Sequence, residues 1–115
     1  MIKEIAFVVY AVTDVPRSRE FYEKVLGLKT GPDNFGDKWI EYDIAGAAFV
    51  ITDAFPITAP ASSLALEVDN LDAEVSHLKA AGVKFSGEVS DFPSCRMALI
   101  CDPDDNTICL HQRKS

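Results

Sequence analysis

The segments YAVTDVPRSREFYEKVLGLK, from Tyr10, and LEVDNLDAEVSHLKAAGVK, from Leu66, are two copies of one pattern. Val12 matches Val68, Asp14 matches Asn70 and Val15 matches Leu71; after a gap of one residue, Gly27 matches Gly82, Leu28 matches Val83 and Lys29 matches Lys84. A duplication restricts a fold more than local propensity does, because each copy must build the same supersecondary unit. Each copy reads as an alternating stretch, then Asp or Asn, a helical stretch, Gly, and further alternating stretches.

Local signals give this repeat its elements. Asp14 and Asn70 suit helix N-caps, because a short side-chain oxygen can accept the free N–H groups of a first turn. Pro16 falls in that first turn, where its missing N–H costs nothing. Helix one is expected over 15–26 with Phe21, Tyr22, Val25 and Leu26 apolar, and helix two over 71–81 with a Leu71, Val75, Leu78 stripe. Gly27 and Gly82 sit where a helix stops in a left-handed turn. Further strands are expected over 28–30, 38–44 and 47–52, and over 83–89, 96–101 and 107–112. GPDNFGD and DPDDN are turn-forming clusters. AFPITAPASS, between the copies, is the natural linker. The order is βαβββ, twice. One domain over 1–115 is expected, with module one over 1–53, a linker over 54–62 and module two over 63–115.

Strand alternation sorts the side chains. Val8, Tyr10, Val12, Ile40, Tyr42, Ile44, Leu64, Leu66, Val68, Ile108 and Leu110 read as core. Met97, Leu99 and Cys101 are placed with them. The opposite face then carries Phe7, Val9, Trp39, Glu41, Ser63, Glu67, Arg96, Cys109 and His111, apolar walls with a few polar groups, as in a small-molecule pocket. Trp39 could stack on a ligand or fill the concavity. Glu41 and Glu67 could bind a cation, act as a base, or stay solvated. Arg96 could neutralise a carboxylate or orient an acidic ligand. His77 reads as an exposed helix residue. No nucleophile–His–acid spacing and no glycine-rich phosphate loop is present.

Composition narrows the partners. The net charge is −7, which disfavours nucleic acid and anionic membrane surfaces, and no run approaches a membrane span. The first residues, MIKEIAFVVYAVTDV, loosely resemble a leader, but their alternation reads as a strand. Cys95, Cys101 and Cys109 are an odd number with no CxxC pair. That fits buried thiols in a reducing, cytoplasmic compartment.

The duplicated pattern, the segment D-x-x-x-S-x-x-F-Y-x-x-V-L-G-L over 14–28 and the closing DPDDNTICLHQ resemble the vicinal oxygen chelate superfamily of glyoxalases, bleomycin-resistance proteins and extradiol dioxygenases. The resemblance implies an α+β fold in which two tandem βαβββ modules form a curved eight-stranded mixed sheet around a concave pocket, with helices on the outer face. It implies a homodimer. In catalytic members it also implies one divalent ion, held by side chains from the first and last strands of each module. Members usually carry Gly where Asp105 stands, and Asp tolerates the left-handed backbone that turn needs.

Carried onto this chain, the ligand positions fall on Phe7, Ser63 and Cys109, with Phe49, Val50, Ile51 or Thr52 as the fourth. No full ligand set results. Cys109 and His111 could recruit a soft metal with help from Ser63 or Glu67, but no spacing supports a full set, and the plainer reading is a thiol and a polar rim residue in a pocket wall. The expectation is therefore a protein without metal or other cofactor that binds or sequesters a small organic molecule in a dimeric groove. The alternative is a metal-dependent lyase, isomerase or dioxygenase with atypical ligands. Whether the chain is an enzyme stays open.

Overall fold

In the computed structural model, residues 1, 3–31, 36–54, 60–61 and 64–114 are described. The chain divides into two units, Met1–Ala59 and Pro60–Ser115. Most of the expected linker and Ser63 lie outside the described residues.

The first unit runs β1 (Val8–Ala11), α1 (Val15–Arg19), β2 (Lys29–Thr30), β3 (Trp39–Ile44) and β4 (Ala47–Thr52). The second runs β5 (Leu64–Glu67), α2 (Leu71–Ala80), β6 (Ser90–Asp91), β7 (Cys95–Cys101) and β8 (Thr107–Arg113). The sheets have orders β1-β4-β3-β2 and β5-β8-β7-β6. In each, the first strand lies parallel to the last and the rest is antiparallel. The fold is α+β, two tandem βαβββ modules of mixed sheet.

The caps form as the sequence requires. Asp14 Oδ1 accepts the Arg17 N–H at 3.1 Å and Asn70 Oδ1 accepts the Ala73 N–H at 3.1 Å. Gln112 of β8 accepts a further first-turn N–H, from Leu71 at 2.7 Å, and so ties α2 to its sheet. Gly27 and Gly82 end the helices with φ of +76° and +80°, a region closed to most side chains.

Helix one departs from expectation. Only Val15–Arg19 is α-helical, and Glu20–Val25 winds as a π-helix, with Leu26 N–H donating to the Phe21 carbonyl at 2.9 Å. The wider turn holds two successive rings, Phe21 and Tyr22, in the core. Tyr22 meets Phe49 at a ring-centroid distance of 5.3 Å and Tyr42 at 6.1 Å. The same segment presents Glu23, whose carboxylate takes Arg19 Nε at 2.6 Å and the Tyr42 hydroxyl at 2.9 Å. Burial first, and then Glu23, pushes the Tyr42 phenol up, so it remains a donor. The Arg19 hydrogen bond, with help from Tyr42, holds the Glu23 carboxyl below its ordinary value. Its folded form then keeps its charge to lower pH than its unfolded form. The stabilisation is complete above the ordinary carboxylate range of roughly pH 4.3 and is lost as pH falls through the depressed folded value. The urea midpoint is expected to drop more between about pH 7 and about pH 3 in the native chain than in Glu23→Gln. Equal drops would remove Glu23 from the acid response.

The β3–β4 turn is a two-residue hairpin between the paired Ile44 and Ala47, with φ of +52° at Ala45 and +89° at Gly46. Such turns favour Asn-Gly, and alanine is strained there. Ala45→Asn is expected to raise the unfolding free energy by about 0.5–1 kcal/mol, read by urea denaturation. Asp105 has φ +64°, so the DPDDN turn keeps its left-handed residue without glycine.

Two strand expectations are corrected. Residues 83–89 do not form a continuous strand. Phe85 makes one bridge to Ile100, the Ser86 N–H reaches the Leu99 carbonyl, and φ is +84° at Gly87, which interrupts the ladder before β6. The alternation of β7 is also reversed over 97–100, while Cys101 is buried as expected. Ala98 and Ile100 are buried, and they pair with the buried Leu110 and Ile108. Met97 and Leu99 share the opposite face with His111 and Cys109. Arg96 falls on the helix side, where its Nη2 meets Asp72 of α2 at 2.9 Å. The cause lies in Met97–Cys101, an unbroken apolar run that gives no phase to an alternation argument.

Candidate functional site

In the first unit, Val9, Val50 and Glu41 are cross-strand neighbours on one face. Trp39 is on the same face, paired with Thr52. Phe7, just before β1, is 45% exposed, and its ring meets that of Trp39 edge-on at 5.4 Å. Apolar and aromatic surface therefore dominates this face, with Glu41 its carboxylate.

In the second unit the pairing sets side chains in two rows. Ala65, Cys109 and Leu99 form one, and Glu67, His111 and Met97 the other. Within the second row, Glu67 Oε1 lies 2.6 Å from His111 Nδ1, and Glu67 Oε2 accepts the Arg113 N–H at 2.8 Å. The Arg113 N–H first, and then His111, holds the Glu67 carboxyl below its ordinary value. It is a charged acceptor at neutral pH. Ala65, Glu67, His111 and Arg113 line an open pocket of about 270 Å³. Cys109 Sγ lies 3.4 Å from Met97 Sδ, not on the imidazole, and burial pushes its thiol pKa up. A thiolate is the form that attacks or ligates, so Cys109 is poorly suited to either task.

Of the residues singled out in the sequence, Phe7 and Trp39 meet, Val9 and Glu41 share their face, and Glu67 and His111 are bonded. Arg96 is not brought to this face. The sequence reading missed Met97, Leu99 and Arg113. For Met97 and Leu99 only the β7 register could have revealed them. His77 is exposed on α2.

The sheet register also identifies the fourth ligand position. Ala65 pairs with Cys109 as Val9 pairs with Val50, and Val9 is the repeat equivalent of Ala65. Val50 is thus the first-unit counterpart of Cys109. Phe7 and Val50 offer no donor atom, and Ser63 carries only a neutral hydroxyl. A divalent ion needs three or four good donors, and these residues do not fit one. Among the described residues no group of three or more His, Cys, Asp or Glu is placed to hold a metal ion. Among them, too, no helix is long and apolar enough to cross a membrane.

A βαβββ duplication with a ligand-type face on each sheet matches a known family. The chain belongs to the Glyoxalase/Bleomycin resistance protein/Dioxygenase superfamily, whose model matches residues 4–110. Solved structures extend the likeness. TnmS3, an antibiotic binding protein from Streptomyces sp. CB03234, is 29% identical over 98% of both chains with a TM-score of 0.82. A glyoxalase/bleomycin resistance protein from the same organism is 30% identical over 95% of this chain and 100% of its own, with a TM-score of 0.77. A lactoylglutathione lyase from Agrobacterium tumefaciens shares the fold at a TM-score of 0.80, covering 96% of this chain and 94% of its own, at only 13% identity. No protein of curated function matches the chain at a significant level.

Proposed function

We propose that this protein binds and sequesters a small organic molecule, of the size and partly aromatic character of an antibiotic, without a metal ion. The observation that carries this reading is the donor set. The family's ligand positions hold Phe7, Val50, Ser63 and Cys109, so the protein must grip its ligand through shape, apolar burial and hydrogen bonds. On the first unit Phe7, Val9 and Trp39 supply apolar surface and Glu41 polarity; on the second, Glu67, Cys109 and His111 supply the polar and thiol groups. A homodimer forms the groove, and the protein works in the cytoplasm. The resemblance to TnmS3, an antibiotic binding protein, supports the binding role. The −7 charge favours neutral or cationic ligands over anions.

The test uses the single tryptophan. Trp39 emission is expected to change saturably when neutral and cationic planar aromatic compounds are titrated in, and Phe7→Ala is expected to weaken that binding. A panel that leaves the emission flat, with no heat by calorimetry, would count against the proposal.

A further inference from the structure

The Glu67–His111 pair does more than link two strands. A carboxylate oxygen only accepts, so the 2.6 Å contact to Glu67 Oε1 places the imidazole hydrogen on Nδ1. In the neutral ring Nε2 is then a lone-pair acceptor. Glu67 is fixed in turn by the Arg113 N–H on its other oxygen, so the ring is held from behind. Among the described residues Nε2 bonds to nothing, and His111 lines the open pocket beside Ala65. An acceptor oriented in this way calls for a ligand that donates.

The neighbouring row gives the rest of the ligand. Ala65, Cys109 and Leu99 lie side by side on the same face, and Leu99 is 39% exposed, unusual for a leucine in mid-strand. Successive rows on one face of a sheet are roughly 6.5–7 Å apart, about the length of a fused two-ring aromatic. A planar apolar body on the first row therefore puts a substituent over His111. Arg113 adds a positive charge at the rim, which favours a hydroxyl oxygen that gains negative charge as it donates.

We infer that His111, positioned by Glu67, is a specificity-determining acceptor for hydroxylated aromatic ligands of the phenol class. This rests on the binding role proposed above and narrows it to one chemistry.

The test titrates the full chain by calorimetry with naphthol and with methoxynaphthalene, which keeps the rings but cannot donate. Naphthol is expected to bind roughly five- to tenfold more tightly, the worth of one hydrogen bond. His111→Phe, which keeps an aromatic ring, is expected to bring the ratio of the two affinities close to one. In the native chain, nitrogen-15 NMR of the two histidines is expected to show His111 with a protonated, pyrrole-type Nδ1 and a pyridine-type Nε2, a readout independent of how any variant folds. Equal affinity for the two compounds, a preference that survives in folded His111→Phe, or a hydrogen on Nε2 would overturn the inference and leave the binding role standing. Failure of both compounds to bind would overturn both.

Discussion

Phe49→Ala is expected to lower the unfolding free energy by about 3–5 kcal/mol, the usual cost of deleting a fully enclosed ring. Phe49 is 2% exposed and sits at the centre of the first unit's aromatic cluster. Its ring centroid lies 5.2 Å from Tyr10 and 5.3 Å from Tyr22, and it stacks on Tyr42 at 6.2 Å. These partners come from β1, the π-helical segment and β3, so one substitution opens a cavity against three elements. None can close it readily, because Tyr42 is tied to Glu23 through its hydroxyl. Urea denaturation followed by far-ultraviolet circular dichroism measures the loss. A change under about 1.5 kcal/mol would mean that the cluster repacks as a volume-conserving core does.

Asn106→Ala is expected to cost about 2–4 kcal/mol, for a different reason: it strands polar groups rather than opening a cavity. Asn106 and Asp102 are both buried. Asp102 Oδ1 accepts the N–H groups of Asp104 and Asn106 at 2.9 Å each, and Asp102 Oδ2 accepts Asn106 Nδ2 at 2.9 Å. Asn106 Oδ1 in turn accepts the Ala61 N–H at 2.8 Å, next to the bond from the Thr107 N–H to the Ala61 carbonyl. The substitution leaves a buried carboxylate oxygen and a backbone donor short of partners. Asn106→Asp is expected to be at least as damaging, since it sets a second carboxylate against Asp102. Chemical denaturation of both variants gives the comparison. Native-like stability in either would show that water replaces the lost amide.

How much of this was legible in the sequence follows from how local each signal is. Asp14 and Asn70 were readable as caps because a cap needs only one oxygen and an N–H three residues on. Gly27 and Gly82 were readable because few other residues tolerate their backbone. The π-helical winding of Glu20–Val25 was not, since it depends on Tyr42 and Phe49, distant in sequence, meeting Tyr22. The phase of β7 was hidden by five consecutive apolar residues. Arg96, the polar residue just before them, pointed the wrong way because its charge belongs to Asp72 on the helix side. Phe7, Val9, Trp39, Glu41, Glu67, Cys109 and His111 could be grouped by alternation. The bond between Glu67 and His111, and the match of Val50 to Cys109, needed the registers of β5 and β4 against their neighbours. Periodicity carries no information on register.

The donor set makes a direct demand on binding. With Phe7, Val50, Ser63 and Cys109 at the family's ligand positions, the protein must hold an organic molecule equally well when no divalent ion is available. Calorimetric titration of naphthol into the protein before and after exhaustive treatment with EDTA measures this. The dissociation constant is predicted to be the same in both preparations. Loss of binding after chelation, restored by one equivalent of a divalent metal, would contradict it.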